Sequence, residues 1–176
     1  MVSSIEETLI ELERWYNELS GGGSERPKLL SKLAKLEFCG WLETYLDGLL
    51  ERIGQHCGLD VAWIQENVTK INYGFSYSDH LRPMIVKLVG EVGVKTFEMF
   101  LEKAQPGALD QLRSELGSLW KDRGPLAHSN IAAPVKQQLT INAPSWSRNR
   151  QRVMAKTLEA FEKELIKVLN VKVPTI

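Results

Sequence analysis

The chain has little of the residues that build disulfide frameworks and metal sites. Among its 176 residues there are two cysteines, Cys39 and Cys57, and three histidines, His56, His80 and His128. Cys39 lies inside an apolar helical run, where a thiol packs as a small hydrophobe rather than forming a disulfide. His56 and Cys57 are adjacent, so their side chains diverge, and no histidine has a partner at the spacing of zinc ligands. We expect a reducing compartment and no bound metal.

The sequence also lacks an excess of charge of either sign and any apolar run of membrane-spanning length. Lys+Arg and Asp+Glu both number 22, so the formal net charge is zero and any site for a polyanion must be a local patch. The N-terminal stretch MVSSIEETLIELERWY carries acids where a signal peptide would be basic and then apolar. We therefore expect a cytoplasmic protein that does not enter a membrane.

Motifs for nucleotide or serine chemistry are missing as well. The chain contains no GxSxG, no GxGxxG and no phosphate-binding loop, because SGGGSERP lacks the Lys-Ser/Thr pair and the preceding strand. The sequence therefore predicts no cofactor. The three consecutive glycines indicate instead a loop that ends the first helix.

What the sequence has in quantity is helical periodicity. Residues 3–19 repeat apolar side chains in steps of four and three, which predicts an amphipathic helix joined to the rest by the glycine-rich loop. Residues 27–53 are apolar on nearly every face in their middle, which predicts a central helix. Further patterns predict a short helix after Asp60, two helices separated near Gly90 to Gly93, and a helix restarting at Pro106. The last helix is expected over about residues 148–169.

Alternating apolar and polar residues are confined to a brief QQLTIN, so little β structure is expected. The predicted class is all-α, an up-and-down bundle of about six helices with a short irregular segment, SNIAAPVKQQLTINAPSWS, before the last helix. The length suits a single domain over residues 1–176.

The stretch WKDRGPLAHSN, residues 120–130, carries the main candidate site. Because the residue before a proline is disfavoured in helical geometry, we predict that the helix carrying Trp120 ends at Gly124. Arg123 would then end one element and His128 would begin the next, with both side chains facing one cleft. Arginine binds phosphate oxygens and histidine transfers protons near neutral pH, although an isolated pair is more often structural or solvated.

A late helix running into RGPLAH, with an acidic residue inside the apolar helix LEFCGWLETYLDGLL, resembles the HEPN superfamily. Its hallmark is an arginine followed after four to six residues by a histidine, matched here by Arg123 and His128. The resemblance covers roughly residues 27–169 and is closest to stand-alone prokaryotic HEPN nucleases. Gly124 stands where the family often has a polar residue, and Asn130 stands where some HEPN toxins carry a tyrosine.

The resemblance implies a metal-independent endoribonuclease of toxin-antitoxin or phage-defence type, acting as a homodimer whose Arg-His pairs line one composite cleft. Arg123 would stabilise the scissile phosphate and His128 would transfer protons, with Glu43 and Asn130 in support. An antitoxin or defence partner protein is then expected. The alternatives are a non-catalytic HEPN module that binds RNA, a nucleotide or a partner protein, and a purely structural helical adaptor.

Two further candidate sites also have ordinary structural explanations. Glu43 lies among apolar residues and requires a partner such as Arg123 if it is buried, or else lies with Asp47 on a stripe that faces solvent or the rim of a dimer. SWSRNRQR, residues 145–152, combines an aromatic ring with cations suited to single-stranded RNA, and is equally typical of a solvated helix start. The candidate RNA-binding residues in it are Trp146, Arg148, Arg150 and Arg152.

Overall fold

The structure is a computed structural model that describes residues 4–20, 25–70, 74–128 and 141–171. Within these ranges it contains six α-helices and no strand, which confirms the predicted all-α class. The helices are α1 (Ser4–Leu19), α2 (Arg26–His56), α3 (Val61–Ile64), α4 (Arg82–Ala104), α5 (Ala108–His128) and α6 (Pro144–Val171). Two short π-helical segments, Gln65–Thr69 and Tyr77–Leu81, follow α3 and precede α4.

The predicted irregular segment, residues 129–147, is described only at its end. Residues 129–140 lie outside the described residues, and residues 141–143 have no regular structure. The last helix begins at Pro144, four residues earlier than the predicted Arg148. Proline is well suited to the first helical position, since its missing N–H would have no helical partner there.

The chain divides into two compact units. The first unit comprises residues 1–42 and 119–155, and the second comprises residues 43–118 and 156–176. Helices α2, α5 and α6 therefore contribute residues to both units.

The first unit is built around the apolar stripe of α1. Ile5, Leu9 and Leu12 are buried together with Ala34 of α2, as the predicted spacing in α1 requires. Burying a side chain of leucine size stabilises the folded state by about 1.5–3 kcal/mol. These contacts fix α1 against the first half of α2.

Aromatic rings form the centre of the second unit. Phe161 packs edge-on against Phe97, with ring centroids 4.6 Å apart, and against Tyr77 at 6.5 Å. The predicted interruption of the fourth helix is confirmed at Gly90, whose φ of 75° and ψ of 163° lie outside helical geometry. These angles are essentially restricted to glycine.

The predicted end of α5 at Gly124 is wrong, because the helix continues through Pro125 to His128. Two properties of the sequence explain the difference. Gly124 has no Cβ, which removes part of the clash that a proline imposes on its predecessor. Leu126 is 1% exposed and extends the buried leucine stripe of α5 by two turns beyond Leu119. Its burial offsets the one hydrogen bond that Pro125 cannot donate.

Candidate functional site

The C-terminal end of α5 carries both residues of the candidate site on one uninterrupted helix. Arg123 and His128 are five residues apart, so their side chains leave the helix axis about 140° apart and about 7.5 Å along it. The expected break that would let both side chains face one cleft within a single chain is absent. Arg123 lies on the same side of α5 as the buried Leu119 and Leu126, whereas His128 lies on the opposite, exposed side.

The two side chains have different surroundings. Arg123 is half-buried and its guanidinium carbon lies 5.8 Å from the ring centroid of Trp120, one turn earlier on α5. His128 is exposed and lies in the last turn of α5, where the helix dipole favours a cation. The arginine is thus held by the protein, and the histidine is accessible to a substrate.

An ion pair between a buried lysine and a partly exposed aspartate lies directly beside Arg123. Lys35 of α2 donates a hydrogen bond from Nζ to Asp122 Oδ2 over 2.5 Å. The lysine side chain is 4% exposed, whereas that of Asp122 is 42% exposed. This contact joins α2 to α5 within the first unit.

Trp146, predicted to stack on an RNA base, already interacts with two cations of the protein. Lys35 Nζ lies 5.0 Å from its ring centroid, and the guanidinium carbon of Arg150 lies 4.9 Å from it. Cation–π attraction at these distances holds the half-buried ring inside the first unit. A base would have to compete with these cations for the ring.

Two of the predicted RNA-binding arginines form ion pairs with α1. Arg148 Nη1 lies 2.9 Å from Glu13 Oε2, and both side chains are largely buried. Arg152 pairs with Glu6. These two arginines therefore link the start of α6 to α1 through ion pairs within the protein.

Of the two predicted supporting residues, the structure describes Glu43 but not Asn130. Glu43 is half-buried in the middle of α2 and belongs to the second unit, whereas Arg123 belongs to the first. Glu43 adds a negative charge near Asp47: burial, followed by the charges of Glu43 and Glu51, raises the pKa of the Asp47 carboxyl above its ordinary value. Asn130 lies outside the described residues.

A charged cluster in the second unit is not apparent from the sequence. Glu98 accepts hydrogen bonds from the Tyr77 hydroxyl at 2.8 Å and from Arg82 Nε at 3.0 Å. Arg82 also binds Glu91 through both terminal nitrogens, at 3.1 and 2.9 Å. Burial, with Glu98 adding to it, raises the pKa of Tyr77. Because Glu91 and Glu98 follow Gly90 while Arg82 precedes it, the cluster spans the break in α4.

The other two histidines interact with neighbours in the second unit. His56 Nε2 lies 2.8 Å from Asn170 Oδ1, and His80 Nδ1 lies 2.7 Å from the hydroxyl of the buried Ser76. Within the described ranges no group of three or more His, Cys, Asp and Glu residues has the arrangement of a metal site.

Comparison of the chain with protein-family models, with curated proteins and with solved structures gives no match. Within the part of the chain that the structure describes, every helix is too short or too polar to cross a membrane.

Proposed function

We propose that the protein is a cytoplasmic, metal-independent endoribonuclease of toxin-antitoxin or phage-defence type, with Arg123 and His128 as its catalytic residues. The observation that carries the proposal is the exposed His128 in the last turn of α5, at the spacing from Arg123 found in the HEPN hallmark. An exposed imidazole can reach an RNA backbone, and a half-buried arginine whose position is restricted by its neighbours can bind one phosphate.

RNA supplies the nucleophile for this reaction. The 2′-hydroxyl attacks the adjacent phosphorus, the bond to the 5′-oxygen of the next nucleotide breaks, and the products are a 2′,3′-cyclic phosphate and a 5′-hydroxyl end. His128 removes or returns the proton in this exchange, and Arg123 stabilises the charge that develops on the phosphate oxygens. DNA has no 2′-hydroxyl and is therefore not cleaved.

The proposed active form is a homodimer. Within one chain the side chains of Arg123 and His128 diverge by about 140° around the helix, which disfavours a site made by a single copy. In a symmetric pair, Arg123 of one copy and His128 of the second can face the same phosphate. The composite cleft expected from the resemblance would meet this requirement.

Arg150 and Trp146 are proposed to contribute to RNA binding at the start of α6. Arg148 and Arg152 are each engaged by a glutamate of α1, so an RNA phosphate would have to compete with a carboxylate for either of them. Glu43 and Asn130 remain supporting residues of the proposal. An antitoxin or defence protein is the proposed partner.

The experiment is cleavage of single-stranded RNA by the purified protein in the presence of a chelator, with the ends of the products identified. Wild type should give cyclic phosphate ends, and His128→Ala should lose about 100-fold or more in rate. His56→Ala is the matched control, since His56 is also exposed but pairs with Asn170 in the second unit. Cleavage that survives in His128→Ala would refute the assigned role.

The second candidate is a non-catalytic module that binds RNA, a nucleotide or a partner protein through the same region. The divergence of Arg123 and His128 on one helix favours it, because a monomer then lacks a complete acid-base site. Tight RNA binding without cleavage at any pH, by wild type and His128→Ala alike, would support this candidate over the nuclease.

A further inference from the structure

One buried cation lies at the junction of three helices in the first unit. Lys35 of α2 is 4% exposed, and its Nζ donates a hydrogen bond to Asp122 of α5 at 2.5 Å. The same Nζ lies 5.0 Å from the ring centroid of Trp146 on α6. A single ammonium thus contacts α5 next to Arg123 and α6 next to its basic start.

Stability alone does not account for a charge at this position. Removing an ammonium from water costs several kcal/mol, and a well-packed apolar residue in its place is often neutral or stabilising. The same buried side of α2 carries such residues, since Phe38 and Leu42 are fully buried there. A charge-assisted hydrogen bond ties the buried ammonium to one particular acceptor, the Asp122 carboxylate, whereas an apolar contact requires no particular partner.

Buried polar side chains also occur on α2 and α6 in the first unit. Ser31 of α2 and Ser147 and Gln151 of α6 are each at most 3% exposed. Among the described residues, Ser147 Oγ and Gln151 Oε1 have no hydrogen-bond partner. The first unit therefore combines apolar packing, as at Leu126 of α5, with polar contacts, among which those of Lys35 link α2 to both α5 and α6.

We infer that Lys35 is a positioning residue for the site at the end of α5. Asp122 immediately precedes Arg123, so holding its carboxylate fixes the rotation of the last two turns of the helix and the direction of the following arginine. The consequence for catalysis rests on the proposed function. The structural part, that Lys35 sets the environment of Arg123, does not.

The structural part is tested by the indole N–H resonances of the five tryptophans in an NMR spectrum of the full chain. Trp120 reports on Arg123, which lies over its ring, and Trp146 reports on Lys35 itself. Lys35→Met should shift both resonances. Lys28→Met, which removes an exposed lysine of the same helix that pairs with Glu25, should shift neither. An unchanged Trp120 resonance in folded Lys35→Met would overturn the inference.

The catalytic part is tested by RNA cleavage at a temperature where each variant is folded. Lys35→Met should lower kcat by about 10- to 100-fold, the scale expected for a small displacement of a catalytic group, and leave KM nearly unchanged. Lys35→Met/Asp122→Asn should match the single variant, because the pair acts as one unit. If Lys35→Met does not fold, the cleavage assay uses the double variant in its place.

The two failures are distinguishable. Wild type that cleaves no RNA refutes the proposed nuclease, and the Trp120 shift then decides the positioning role alone. An active wild type with unchanged kcat in Lys35→Met refutes the positioning role and leaves the nuclease intact.

Discussion

Arg123 and His128 share one uninterrupted helix, and their five-residue offset directs the two side chains about 140° apart. The continuity of α5 therefore determines what the candidate site can be. A break at Pro125 would have allowed one chain to assemble the pair, whereas on a continuous helix the two side chains of one copy point to different sides, and the proposed site therefore combines two copies.

The first prediction concerns the glycine that lets α5 continue into Pro125. Gly117 and Gly124 both lie in α5, and at each of them an added Cβ would have no atom within 4 Å other than those of the chain neighbours and the helix backbone. We expect Gly117→Ala to raise the free energy of unfolding by about 1 kcal/mol. Gly124→Ala should give none of this gain, because its Cβ would meet the ring of the following proline. Denaturant unfolding measures both, and equal gains would contradict the explanation.

The second prediction concerns the break in α4. Gly90 has a φ of 75° and a ψ of 163°, and no neighbouring atom would obstruct a Cβ there. Gly90→Ala should therefore lower the free energy of unfolding by about 1–3 kcal/mol through backbone strain alone. Gly117→Ala, with its opposite expected sign, is the control for a general effect of added methyl groups.

Periodicity predicted most of the helices. The three- and four-residue spacing of Ile5, Leu9 and Leu12 was sufficient to predict α1, and the glycines near residue 90 indicated the break in α4. The end of α5 was predicted wrongly because a local rule for proline takes no account of Leu126, whose burial depends on packing distant in sequence. The π-helical segments have no simple periodic signal.

The third prediction separates packing from RNA binding in α6. Arg148→Ala should lower the free energy of unfolding by about 1–3 kcal/mol, because it leaves Glu13, whose side chain is 20% exposed, without its cation. Arg14→Ala, which removes an exposed pair with Glu11, should cost less than about 1 kcal/mol. Unchanged stability with a marked loss of RNA affinity would instead identify Arg148 as an RNA contact.

The fourth prediction concerns three acids on one side of α2. The pKa of Asp47 is raised by burial and by the charges of Glu43 and Glu51. As the pH rises, the Asp47 carboxyl therefore loses its proton in the unfolded chain before it does so in the folded protein. Stability is therefore lost as the pH rises from the unfolded towards the folded pKa. Asp47→Asn should raise the free energy of unfolding by about 0.3 kcal/mol at neutral pH, with no gain in strong acid. Asp110→Asn, which removes an ion pair with Arg113, should show no such gain at neutral pH.

The residues of the candidate site are proposed from the sequence, whereas their arrangement comes from the structure. Arg123 and His128 are visible as a motif, whereas the contact of Lys35 with Asp122 joins positions 87 residues apart and has no local signal in the sequence. The same applies to the glutamates of α1 that engage Arg148 and Arg152. Charge pairing across helices depends on the tertiary packing, and a pattern of basic residues alone does not reveal which of them are neutralised.

The measurement that tests the central claim most directly is cleavage of RNA by a mixture of two inactive variants, Arg123→Ala and His128→Ala, refolded together. If the site combines Arg123 of one copy with His128 of the second, mixed dimers regain one intact site, and about a quarter of the wild-type rate should return. A mixture as inactive as its components, beside an active wild type, would contradict the composite site, and an inactive wild type would contradict the nuclease.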